Sequence, residues 1–273
     1  MKPLLSVDGD SFAHRAYHSI PKSVNRNAVV GFTNMLMGLW DQTQPRAVVV
    51  GWDTLEVPTY RHTAFAGYQS GRVFDKSLLE QLAILPELCN ALLFPVGKAP
   101  GYEADDFLAA SVAYEEARGG TTIVASGDRD TFQLVSDRTT VIQPIRGVSE
   151  MARIGPAEVR ERYGVEPGQV PDFIALRGDP SDKLPGAKGV GPKTAASLLS
   201  QYGSLEKMLD DGRFAAQADD LRLYKRIASM DPEAPLPEIP DAEPDWEGGA
   251  ALARKWGLNA LADRLEGRAQ STS

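Results

Sequence analysis

Three apolar runs along the chain end in acidic residues: "LLSVD" closes on Asp8, "AVVVGWD" on Asp53, and "TTIVASGDRD" on Asp128 and Asp130. Short apolar runs rich in β-branched residues and unbroken by charge predict strands buried on both faces, as in a parallel sheet. Between them, helical patterns run over 27–42 ("NAVVGFTNMLMGLWDQ") and 105–118 ("DDFLAASVAYEEAR"), the second stopped by Gly119 and Gly120. Strands alternating with helices predict an α/β fold with a mainly parallel central sheet and helices on both faces. Ligands of such sheets bind outside the carboxyl ends of the strands, where these aspartates fall.

Past residue 155 the pattern changes. Residues 157–163 and 168–177 predict short helices. Residues 192–203 ("PKTAASLLSQYG") predict a clearer one, with Pro192 suited to its first turn. Helix, loop, helix in this stretch resembles a small DNA-binding hairpin more than a sheet. From Asp231 to Gly249 the chain carries five prolines, seven acidic residues and no basic one, which predicts an exposed, semi-extended linker. A last helix, "AALARKWGLNALADRLEG", is expected to fold back on the body. The expected organisation is a core over 1–155, a helical DNA-binding region over 156–230, and a linker with a terminal helix over 231–273.

Composition narrows the class. A chain of 273 residues can bury a full core. One cysteine, Cys89, excludes an internal disulfide and reads as a small core residue. No run approaches the ~20 apolar residues of a membrane helix, and the amino terminus does not read as a signal peptide. A soluble, cytoplasmic protein with no membrane partner is expected. The net charge of −8 argues against a protein that coats nucleic acid with positive charge. An acidic cluster holding divalent cations reconciles an acidic chain with a phosphate-bearing ligand.

The stretch "GDPSDKLPGAKGVGPKTA" (178–195) mixes glycines and lysines with two aspartates. It is not a nucleotide-binding P-loop: Pro192 stands between Gly191 and Lys193, and proline has no amide to donate to a phosphate. "GYEADDFLAA" places Glu103, Asp105 and Asp106 at a helix start, where one acid is ordinary capping and three are excessive. If that helix begins near Ala104, Glu103 and Asp106 share a face, while Asp105 converges only through the irregular first turn. Acids at strand ends and helix starts comprise Asp8, Asp53, Glu103, Asp105, Asp106, Asp128 and Asp130. Two carboxylates about 4 Å apart repel by roughly 4 kcal/mol at an effective dielectric near 20. Such a cluster needs protons or hard divalent cations, magnesium or manganese. Two such ions clamp the attacking and leaving oxygens of a phosphoryl displacement. His14, His18 and His62 form no zinc-type set and read as surface or supporting groups. Asp179 and Asp182 can complete the acid cluster, while the glycine turn and Lys193 grip a phosphate nearby. The ligand that wants both is nucleic acid.

These residues carry a resemblance. "SVDGDSFAHRAYH", "YRHTAFAGYQSGR" (60–72), "GYEADD", "ASGDRDTFQLVSD" (125–137) and "GDPSDKLPGAKGVGPKTAASLL" together resemble the 5′–3′ exonuclease and flap endonuclease family, including the N-terminal nuclease domain of bacterial DNA polymerase I. No polymerase domain follows in this chain, so the likeness is to the stand-alone bacterial form. The resemblance implies a PIN-like nuclease core, a helix-three-turn-helix, and an arch over about 68–100. It implies one ion at Asp8, Asp53, Glu103 and Asp105, with Asp106 shared, and a second at Asp128, Asp130, Asp179 and Asp182. It implies Mg²⁺ or Mn²⁺, and a K⁺ ion in the 186–191 loop. Arg15, Lys183, Lys188, Gly189, Gly191, Lys193 and Thr194 would contact DNA.

The implied substrate is DNA with 5′ flaps, overhangs or free 5′ ends. It is cut near the junction of single and double strand, leaving a 5′-phosphate and a 3′-hydroxyl. RNA-primed ends are a further candidate substrate, and the expected state is a monomer acting at the nucleoid. At the catalytic edge, Tyr68 would stack on a base and Arg72 reach the phosphate. Gln69 stands where the family usually has a lysine; a neutral amide cannot offset developing charge, and losing such a donor can cost ~10²-fold. Two other readings share parts of the pattern: a non-catalytic binder of branched DNA, and a PIN-type ribonuclease.

Overall fold

The computed structural model describes residues 2–71, 73–146 and 150–272. Among them, strands β1 (Leu4–Asp8), β2 (Ala47–Gly51), β3 (Val96–Gly97), β4 (Thr122–Ala125), β5 (Thr139–Arg146) and β6 (Glu150–Ile154) form one sheet of order β3-β2-β1-β4-β5-β6. The sheet is parallel except for β6, which returns antiparallel along β5. Every residue of β1, β2 and β4 is buried, as their charge-free sequences predict. Sequence patterning did not reveal β3, β5 or β6. β3 has two residues, and β5 carries Pro144 in a stretch with polar positions.

The sheet's connections are α1 (Gly9–Ser19), α2 (Asn27–Thr43), α3 (Tyr60–Ala64), α4 (Lys76–Leu82), α5 (Leu85–Ala91) and α6 (Ala104–Ala117). One core joins Leu5, Val7, Val48 and Val50 to Phe12, Phe32, Leu36 and Cys89. In the stretch expected to arch over the cleft, Leu78 and Leu82 of α4 and Leu85 and Leu88 of α5 belong to this core. Their i, i+3/i+4 spacing gives these helices an apolar face that lies on the body.

After β6 come α7 (Pro156–Tyr163), α8 (Val170–Arg177), α9 (Pro192–Tyr202), α10 (Leu205–Asp210) and α11 (Ala218–Ala228). A second core joins Leu108, Val124 and Val141 to Ile174, Leu199, Leu221 and Ile227 of this helical region. The loop between α8 and α9 turns tightly at Gly178 (φ +78°) and Gly186 (φ +74°). A Cβ at Gly186 would lie 2.4 Å from the Gly178 nitrogen, so only glycine lets the two strands of the loop meet.

The acidic, proline-rich stretch differs from the expected free linker. Ala234 and Ile239 are buried, Arg46 pairs with Asp241 at 2.7 Å, and the Ala242 amide donates to Arg46 O at 3.0 Å. Its spaced apolar side chains hold it on the body as a strap. The terminal segment is two helices, α12 (Trp246–Lys255) and α13 (Asn259–Thr272), separated at Gly257 (φ +75°). Trp246, at the start of α12, is buried in the first core.

Candidate active site

The carboxyl ends of β1, β2 and β4 open into a cleft of about 730 Å³ lined by Asp8, Asp10, Asp53, Glu103, Asp105, Asp128 and Asp182. Regular structure places the first of these. Asp8 ends β1 and caps α1: its Oδ1 accepts from the Ser11 amide at 2.9 Å and its Oδ2 from Ser126 Oγ at 2.7 Å. Gly51 ends β2 so close to α6 that a Cβ would lie 2.6 Å from Ala104 O. Glycine therefore lets Asp53 reach the first turn of α6, where Oδ1 accepts from the Ala104 amide at 2.8 Å. The Asp53 amide in turn donates to Asp10 Oδ2 at 2.7 Å.

Burial and crowding raise the proton affinity of Asp8, Asp10, Asp105 and Asp130. Burial pushes Asp8 up to about 7, with repulsion from Asp53 and Asp128 adding to it. Asp10 is raised well above the usual carboxylate range by burial and by Asp53, and Asp105 by burial against the opposing pull of Arg61. Asp130 is raised by burial and by repulsion from Asp128, Asp179 and Asp182. Asp130 and Asp179 do not line the cleft. Asp179 turns back on its own loop, accepting from the Ser181 amide at 2.8 Å, from Ser181 Oγ, and from Arg177 Nη2 at 3.1 Å.

Asp106 departs from the expected shared ligand. It is fully buried, and its carboxylate meets the Arg61 guanidinium through two 2.8 Å bonds. It also accepts from the amides of Glu103 (3.0 Å) and Asp231 (2.9 Å). A carboxylate so saturated is a structural ion pair facing away from the cleft. α6 does begin at Ala104, but the face shared by Glu103 and Asp106 is the one that meets Arg61 (3.4 Å from Glu103 Oε2), while Asp105 turns to the cleft.

Tyr68 is 4% exposed, buried rather than presented to a base. Its hydroxyl donates to Glu103 Oε2 at 2.8 Å, and burial raises its pKa. Thr59 Oγ1 donates to the other Glu103 oxygen at 2.7 Å. Gln69 Nε2 reaches Tyr68 Oη (2.8 Å) and Asp182 Oδ1 (3.0 Å). Arg72 lies outside the described residues. Arg15 donates to Ile145 O at 2.6 Å and does not line the cleft. Lys183, Lys188, Gly189, Gly191, Lys193 and Thr194 are exposed along the loop and first turn of α9. His14 and His18 line the outer cleft, whereas His62 bonds Thr59 Oγ1 through Nδ1 at 2.8 Å. Sequence reasoning missed Asp10, Ser126, Thr59 and Arg61; the second acid of "VDGD" was the one available signal, and the others act from distant segments.

Among the described residues, no three His, Cys, Asp or Glu side chains are grouped so as to hold a metal ion as they stand. The donor set is carboxylate oxygen, raised in proton affinity at Asp8, Asp10 and Asp105. That suits a hard cation retaining much of its water, as magnesium does with one or two carboxylates.

Sheet order, acid-lined carboxyl edge and appended helices put the molecule in the PIN-like resolvase class. Residues 3–164 match the 5′–3′ exonuclease N-terminal resolvase-like domain, and residues 165–245 the 5′–3′ exonuclease C-terminal SAM fold. The chain belongs to the 5′–3′ exonuclease family. It is 38% identical over 255 residues to DNA polymerase I of Mycobacterium tuberculosis, covering 87% of this chain and 28% of that protein. It is 35% identical over 285 residues to DNA polymerase I of Bacillus caldotenax, covering 97% and 32%. The chain thus spans less than a third of the length of these relatives. The bacteriophage T5 D15 flap endonuclease, crystallised as a pseudo-enzyme–product complex with DNA and metal ions, superposes with a TM-score of 0.71 at 17% identity, over 98% of this chain and 99% of that one. At that identity the likeness carries the fold. No helix among the described residues is long and apolar enough to cross a membrane.

Proposed function

We propose that this chain is a divalent-metal-dependent nuclease that hydrolyses phosphodiester bonds of DNA from 5′ ends and 5′ flaps, near the junction of single and double strand. The products are a 5′-phosphate and a 3′-hydroxyl. The observation that carries this reading is the convergence of carboxylates from β1, β2, α6, the β4 end and the α8–α9 loop on one cleft. Asp8, Asp53, Glu103 and Asp105 would hold one Mg²⁺ or Mn²⁺ ion, and Asp128, Asp130, Asp179 and Asp182 a second. Such ions supply an activated water and neutralise charge developing on the transferred phosphoryl group.

The chain's own residues aim these acids. Ser126 and the Ser11 amide fix Asp8, the Ala104 amide fixes Asp53, and Thr59 and Tyr68 fix the two oxygens of Glu103. Arg61 pairs with Asp106 and leans on Glu103 while donating to Ile227 O at 2.9 Å, which ties the acid end of α6 to the end of α11. In the 156–230 region, Lys183, Lys188 and Lys193 with the glycine turn grip duplex phosphates without reading sequence. A K⁺ ion within 186–191 would join that grip, and the chain acts as a monomer, RNA-primed ends included among its substrates.

The test is an end-labelled duplex with a 5′ flap, incubated with and without Mg²⁺ or Mn²⁺ and sized on a denaturing gel, beside an RNA flap. Metal-dependent cuts near the DNA junction, absent in Asp128→Asn, are expected. A shifted band with no cut in either metal would make the chain a branched-DNA binder, and preference for the RNA flap a ribonuclease.

A further inference from the structure

A chain of hydrogen bonds crosses the cleft, its donors running outward from Gln69 to both sides. The amide nitrogen has two hydrogens and nothing to accept with; one goes to Tyr68 Oη and one to Asp182 Oδ1. The hydroxyl, accepting from the amide, gives its own hydrogen to Glu103 Oε2. The Gln69 backbone amide also points at Asp182 O, at 3.4 Å. Gln69 has φ +47°, a left-handed conformation that non-glycine residues rarely adopt. Its surroundings therefore over-determine where this amide sits.

We propose that Gln69 is a positioning residue: its amide, acting through Tyr68, sets Asp182 on the helical hairpin in register with Glu103 on the core, and so sets the spacing of the two ion sites. The inference rests on the metal reading above. A neutral donor suits this task because it orients a carboxylate without cancelling its charge. Gln69 thus supplies alignment, where the family resemblance alone suggested a missing phosphate-activating charge.

Two measurements test this on the DNA-free chain: Mn²⁺ binding followed by electron paramagnetic resonance, and hydrogen exchange of amides 179–184 without metal. Gln69→Met keeps the length and loses the donors; Tyr68→Phe keeps the ring and loses the hydroxyl. Gln69→Met is expected to leave the Glu103-side Mn²⁺ site intact; Tyr68→Phe, which also removes a donor from Glu103 Oε2, to weaken it; and both to speed exchange at 179–184 and to weaken the Asp182-side ion about tenfold or more, as loss of a partner behind a ligand does. Asp182→Asn should weaken the same ion. If it does not, Asp182 is no ligand and the ion-spacing claim falls, while faster exchange in Gln69→Met still upholds the bridge. Unchanged exchange in both variants overturns the bridge whatever the ions do. Faster exchange with both ions bound as in the unaltered chain overturns the claim about spacing.

Discussion

On the sheet side of the cleft, Asp8, Asp53 and Asp105 stand at strand ends and a helix start, with Asp8 and Asp53 each tied to a backbone amide. On the hairpin side, Asp182 stands in a glycine-shaped turn and is held across the cleft by the Gln69 side chain, while Asp179 is folded onto its own loop. The first set is placed by the fold itself, and the chain bears the cost of burying it, seen in the raised proton affinity of Asp8, Asp10 and Asp105. The second set is placed by the turn of its own loop and by the Gln69 side chain. One bank is therefore set by the sheet and carries raised proton affinity, while the other is set by a loop and one contact across the cleft.

Replacing one acid from each bank separates them most. Asp105→Asn is expected to lower cleavage by at least about 10³-fold, since it removes a proposed ion ligand at the start of a regular helix. It should also raise the melting temperature of the metal-free chain at alkaline pH, because the amide replaces a carboxyl whose ionisation its surroundings disfavour. Asp182→Asn should cost cleavage roughly 10²-fold and leave metal-free stability unchanged. Equal losses in cleavage and equal melting temperatures would erase the distinction between the banks.

The two banks were also unequally legible. Asp8, Asp53 and Asp128 stood out because a charge-free run ending in an acid already says strand, end and ligand edge. Within "EADD", spacing alone chose the wrong partner for Glu103: the face it shares with Asp106 is real, but Arg61, 45 residues upstream of Asp106, claims it. A long-range ion pair leaves no trace in local periodicity. The strap at 231–245 was hidden likewise, because its acids and prolines outnumber the few apolar residues that pin it. The motif alone makes Tyr68 and Gln69 substrate-facing, and only the fold shows their mutual bond and the carboxylates on either side.

The buried bank makes a pH prediction. Asp8 is raised from an ordinary carboxylate value of 3.8 to about 7, so between those limits the folded chain holds a proton that the unfolded chain has lost. Stability of the metal-free chain should therefore fall as pH rises from about 4 to 7, by about 4 kcal/mol from Asp8 alone. Asp10, Asp105 and Asp130 are shifted the same way and steepen the fall. Saturating Mg²⁺ binds the ionised folded chain and should raise the melting temperature more at pH 8 than at pH 5. Urea unfolding with a chelator at both pH values checks this, and Asp8→Asn should flatten the slope. Stability that holds or rises between pH 5 and pH 8 without metal would mean the sheet-borne acids carry no such strain.

The smallest effect belongs to the hairpin's outer face. Lys193 is exposed in the first turn of α9, directly after Pro192, where its ammonium and the free amides of the helix start can meet one phosphate. An exposed lysine contributes to DNA affinity mainly by releasing a condensed counterion, so Lys193→Ala should weaken duplex binding evenly across sequences. The slope of log affinity against log salt should become shallower by about 0.9. Because Lys193 lies outside the cleft, KM for a flap should rise while kcat stays unchanged. Fluorescence anisotropy at several salt concentrations, with single-turnover cleavage beside it, distinguishes the cases. A fall in kcat would mean that the grip on duplex DNA and the placement of Asp182 move together, and that the hairpin is one lever rather than a platform carrying two independent contacts.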